Sequence, residues 1–120
     1  MSHSKFKLFR GTIAEGKLSK ELLKQLKSFT TQEKIDAKSI GIEYLESLNE
    51  VIVSLGYAEK KSKVSVDFKL KKIGNLSLGL PALEVASEKV ASKLENIICH
   101  ELFVDGSNDC HMIFMVGKIN

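Results

Sequence analysis

At 120 residues, with 43% apolar and 28% charged residues, the chain has the composition of one globular domain that needs neither disulfide nor metal to hold a core. No stretch nears the ~20 apolar residues of a membrane helix, and the first six residues lack a secretory leader's apolar run, so no membrane partner is expected and the expected address is the cytoplasm. The net charge of +3 rests on eighteen basic residues, of which only Arg10 is an arginine; without arginine forks or interleaved aromatics, nucleic acid is not an expected partner.

From Lys5 the chain alternates and then turns apolar up to Ile13, which predicts a strand with Lys5 and Lys7 toward water. Gly16 breaks it. Leu22, Leu23, Leu26 and Phe29 then recur on one helical stripe, with Ser19 as N-cap and Leu18 and Leu23 as a hydrophobic staple. Residues 38–45 alternate with Ile40, Ile42 and Tyr44 on one face and Gly41 and Glu43 on the other. After a turn at 46–50, residues 51–57 are rich in β-branched side chains and form the partner strand. A charged connector follows at 59–63.

Residues 63–72 alternate cleanly, with Val64, Val66, Phe68 and Leu70 inward and lysines outward, as suits an exposed sheet edge. A loop at 74–80 carries glycines but no phosphate-binding pattern. Pro81 starts a second helix, whose stripe is Leu83, Ala86, Val90, Leu94 and Ile97. Residues 98–117 form a terminal hairpin about the turn cluster 105–109. Alternation allows Leu102, Val104, Met112, Phe114 and Val116 on one side and Phe103, Ile113 and Met115 on the other. Both faces are apolar, so both need a cover.

The order strand, helix, strand, strand thus occurs twice, in pseudo-repeats at roughly 5–58 and 62–118 of a single domain spanning 1–120. Glu43-Tyr44-Leu45 falls against Glu101-Leu102-Phe103 in that comparison. The expected fold is α+β: a two-layer sandwich with two helices on one face of an antiparallel sheet. This duplicated order resembles the bacterial effector-binding domains related to the DNA gyrase inhibitor, and the SOUL haem-binding family. The resemblance covers the whole chain as topology alone and carries over no functional residue. It implies a small-ligand groove between the two halves.

The candidate chemistry is sparse. Cys99 and Cys110 are displaced by at least four positions across the hairpin, about 13 Å at ~3.3 Å per residue, too far for a disulfide. His100 and His111 each follow a cysteine but fall out of step, so no metal site and no cofactor are expected. Glu43, Glu101 and His111 are the best acid–base set, yet no nucleophile has a base beside it. The reading therefore favours a non-catalytic binding or assembly domain that uses the open face of its sheet as a homodimer. Phe103, Ile113 and Met115 are its interface residues. The alternative is a small-molecule domain whose groove is lined by Glu43, Tyr44, Glu101 and His111.

Overall fold

The computed structural model describes residues 5–14, 16–32, 35–59 and 66–118; most of the charged connector lies outside them. Strand β1 (Lys5–Ala14) turns at Gly16, whose φ of 72° suits a residue without Cβ, into the two-residue β2 (Lys17–Leu18). Helix α1 (Lys20–Gln32) follows. Ser19 caps it as expected, its hydroxyl accepting the Leu22 N–H at 3.3 Å.

Strands β3 (Ile35–Leu45) and β4 (Glu50–Glu59) are joined through a 3-10 turn at 46–48 and Asn49, which sits in the left-handed region at φ 52°. Strand β5 (Val66–Asn75) leads to α2 (Leu80–Ala91), with Pro81 in the first turn. Helix α2 stops short of the predicted Ile97. The Ser92, Lys93 and Leu94 N–H groups bond back to Glu88, Val90 and Ala91 in closing turns. Leu94 stays buried while Ile97 joins the next strand, exposed. Strands β6 (Asn96–Asp105) and β7 (Cys110–Lys118) are joined by a 3-10 turn at 106–108 and by Asp109, at φ 48°.

Among the described residues two α-helices and two antiparallel sheets make the fold mixed α+β, but the strands divide between two sheets where one was expected. The first has the order β2-β1-β4-β3 and the second β5-β7-β6. Helix α1 lies on the face of the first sheet that carries Phe9, Gly11 and Ile13. A Cβ on Gly11 would come within 2.7 Å of Leu22 Cβ, so glycine is what lets the helix settle there. Phe29 extends the contact, edge-on to Phe9 (centroids 5.4 Å) and to Tyr57 (5.2 Å).

The second sheet packs on that same face. Its Phe68, Leu70, Met112, Phe114 and Val116 form one core with Val51, Val53 and Leu55 of β4 and Leu22 and Leu26 of α1. On the far face of the second sheet, α2 lays Leu83, Ala86 and Val90 over Ile73, Ile113 and Met115. The two sheets meet along β3 and β6, where the Glu101 carboxylate accepts the Ile42 N–H at 3.2 Å.

The register of the terminal hairpin corrects the expected faces. Phe103 lies opposite Met112 and Leu102 opposite Ile113. Phe103 therefore shares the side of Met112, Phe114 and Val116, while Leu102 and Val104 share the side of Ile113 and Met115. The physical reason is the turn: three residues in the 3-10 conformation and a left-handed Asp109 make a four-residue loop, an even length where the expected faces needed an odd one, and a one-residue slip moves a whole strand to the other face. Cys99 faces Val116 and Cys110 faces Asp105, and both thiols are free.

Candidate functional site

The residues singled out in the sequence fall into three separate places. Tyr44, Phe103 and Glu101 belong to the β3–β6 seam, where the Tyr44 and Phe103 rings stack tilted with centroids 5.3 Å apart. Glu43 is exposed on the opposite face of β3. Ile113 and Met115 are buried under α2 of the same chain, and His111 is half-buried beside them. Glu43 and Glu101 do not occupy matching positions. Glu43 stands two residues before the end of β3 and Glu101 four before the end of β6, so they do not converge on one groove.

Titration at the seam follows from partial burial and from its acids. Burial, then Asp105 and Glu46, pushes the Tyr44 phenol up to about 12. Burial, then Glu101, pushes the Cys99 thiol up to about 11 against a backbone N–H of Val116 that favours the thiolate. The Cys110 thiol is raised as well, by burial and Asp105 more than Lys72 lowers it. Neither cysteine is an activated nucleophile at neutral pH. Among the described residues no group of three or more His, Cys, Asp or Glu side chains is placed to hold a metal ion. No helix among them is long and apolar enough to cross a membrane.

Three surface features remain. A polar cleft of 370 Å³ lies between the halves, lined by Asn49, Lys72, Asp105 and Cys110. Asp105 is buried there, and its Oδ2 accepts from Asn108 at 2.7 Å. The second feature is a groove of 470 Å³ beside α2, floored by Leu83, Leu102, Ile113 and the imidazoles of His100 and His111, with Glu84 and Glu88 on the helix side. It arises because α2 covers β5 and β7 but leaves β6 bare: Leu78 and Leu83 pack so tightly over Gly74 that a Cβ there would come within 2.5 and 3.0 Å of them. His100 faces Met115 and His111 faces Val104, so the imidazoles are staggered along the groove.

The third feature is the outer face of the first sheet, on which no helix or strand lies among the described residues. Phe6 and Leu8 stand exposed on β1. Across from them the face is low: Phe6 is level with Gly56 and Ser39, and Leu8 with Ser54 and Gly41. At the turn end of this face Arg10 pairs with Glu50 at 3.1 Å. Sequence reasoning missed this surface because it set Lys5 and Lys7 to water, which places Phe6 and Leu8 inside. The signal lay further along the strand, where Phe9, Gly11 and Ile13 form the inward set, and in the small residues Ser39 and Gly41 of β3 and Ser54 and Gly56 of β4.

Compared with known proteins, the chain matches no family model, no curated protein and no solved structure. The resemblance to effector-binding and SOUL-like domains therefore rests on element order alone.

Proposed function

We propose that the chain is a non-catalytic assembly domain of the cytoplasm that joins copies of itself through the open outer face of its first sheet. The observation that carries this reading is the pair Phe6 and Leu8, two large apolar side chains exposed two residues apart on a sheet face otherwise low with Ser39, Gly41, Ser54 and Gly56. Adjacent large apolar side chains on an uncovered sheet face form the kind of surface at which protein contacts are made. The separation of Glu43, Glu101 and His111 into different parts of the molecule supports a non-catalytic role, since acid–base work needs its groups around one reacting atom. Ile113 and Met115 drop out of the interface because α2 covers them, and Phe103 because it faces the shared core.

The element order supports the view that the chain is one strand-helix-strand-strand unit used twice. In each half the first strand pairs with the last, β1 with β4 and β5 with β7. A small-molecule reading is favoured by one observation, the apolar groove beside α2 with its two histidines.

The test of the assembly reading is solution mass by light scattering over a wide concentration range. Wild type should give multiples of 13.3 kDa that fall to one copy on dilution, and Phe6→Glu should stay at one copy throughout. A wild type that is monomeric at every concentration overturns it and leaves the groove as the site of action.

A further inference from the structure

We infer that the partner of the open face is the α2–β6 face of a second copy, so that the chain assembles head to tail. This rests on the assembly reading above and specifies the surface that receives Phe6 and Leu8. The template is the contact already present between the two halves of one chain.

The halves correspond in detail. Asn49 and Asp109 hold the same left-handed conformation in the same kind of turn, each N–H bonded to the carbonyl three residues back. The β3–β4 ladder slips between Ala37 and Ser39, and the β6–β7 ladder slips between Ile97 and Cys99, 60 positions later. The Ile13 N–H bonds to the Asn49 carbonyl at 3.2 Å, and the Leu76 N–H to the Asp109 carbonyl at 3.0 Å. Gly11 lies under Leu22 as Gly74 lies under Leu83. In this correspondence Phe6-Lys7-Leu8 matches Phe68-Lys69-Leu70, because Phe6 pairs with Gly56 and Phe68 with Val116, its counterpart 60 positions on. The same three residue types stand at both places.

Inside the chain, the helix-free face of the second sheet is seated on the helix-bearing face of the first. Phe68 and Leu70 are buried in that contact, at 3% and 2% exposed. Their counterparts Phe6 and Leu8 are 67% and 60% exposed. On the receiving side, Ile42 of β3 is covered by the second sheet and 8% exposed. Its counterpart in β6, Leu102, is 61% exposed at the edge of the groove that α2 leaves open. Among the described residues there is thus one filled contact and one open surface of each kind. A second copy supplies both missing parts with a geometry the chain already uses. Because the two surfaces differ, the contact is heterologous, and repetition closes into a ring or continues as a filament.

The test uses two variants of the full chain, each altering one exposed surface and leaving the core alone: Phe6→Glu with Leu8→Glu, and Leu102→Glu. Circular dichroism first establishes that both keep the wild-type fold. Light scattering at concentrations that assemble wild type should then find each variant alone at one copy. An equal mixture should give a two-copy species and nothing larger, since one member keeps an intact outer face and the other an intact groove. If Leu102→Glu assembles like wild type, the inference is overturned while the open-face reading stands, because the outer faces then meet each other. A mixture that stays at one copy also overturns the inference. A wild type that never assembles overturns both.

Discussion

At the β3–β6 seam a phenol and a thiol hold their protons more tightly than they would in an unfolded chain. The Tyr44 phenol is pushed up to about 12 and the Cys99 thiol up to about 11, in each case by burial first and by a neighbouring carboxylate second. The sign follows from linkage: a raised folded-state pKa stabilises fully below the unfolded value and is lost as pH rises through the folded one. The urea midpoint should therefore be unaffected by these groups up to the ordinary thiol range, about 8.5, and decline above it. Lysines titrate in the same window, so the comparison is with Cys99→Ala combined with Tyr44→Phe. That variant should lose less stability than wild type between neutral pH and the alkaline limb. Parallel curves would refute the assignment. The same protonation explains why neither cysteine offers nucleophilic chemistry.

The seating of α1 is decided by an absence of side chain. Leu22 is buried directly over Gly11, and any Cβ there meets Leu22 Cβ at 2.7 Å. Gly11→Val should cost about 1–3 kcal/mol, the usual range for overpacking, as measured by urea unfolding. Combining it with Leu22→Ala should cost less than the sum of the two single changes, since alanine keeps the Cβ but removes the Leu22 Cδ2 and Cγ that a new Cβ would meet at 2.9 and 3.1 Å. Strict additivity would mean that helix and strand do not compete for that space. This glycine also shows which features of the elements were legible in the sequence. The period-two and 3.6-residue patterns place both helices, the Ser19 cap and both long hairpins in the right stretches. They do not say which face of β1 turns inward, because Phe6, Leu8, Phe9 and Ile13 put apolar side chains on both faces. The helix decides it, by docking where Gly11 leaves a hollow. Likewise the faces of the terminal hairpin depended on one residue of loop length, which composition around Asp105–Asp109 does not specify. The candidate site was less legible than the fold. Its residues were chosen as chemically distinctive, whereas the open outer face is defined by what its glycines and serines lack.

Across the whole molecule, strand β7 of the two-sided apolar hairpin is covered on both faces from within. Met112, Phe114 and Val116 face the first sheet and α1, while Ile113 and Met115 face α2. An external cover for β7 is therefore not needed, and among the described residues the surfaces left uncovered are the outer face of the first sheet and β6 beside α2. A core that draws on β4, α1 and β7 alike couples the halves. Phe114, with no exposed surface, is at its centre. Phe114→Ala removes an aromatic ring that both sheets pack against and should cost about 3–5 kcal/mol. If the halves form one cooperative unit, hydrogen exchange in that variant should accelerate together in β4 and β7, by similar factors, and urea unfolding should keep a single transition with a lower midpoint and unchanged slope. Acceleration confined to β5, β6 and β7, with β4 amides as protected as before, would mean that the first half folds independently. The contact between halves would then be a docking of two separate units, the arrangement that the proposed head-to-tail contact would repeat.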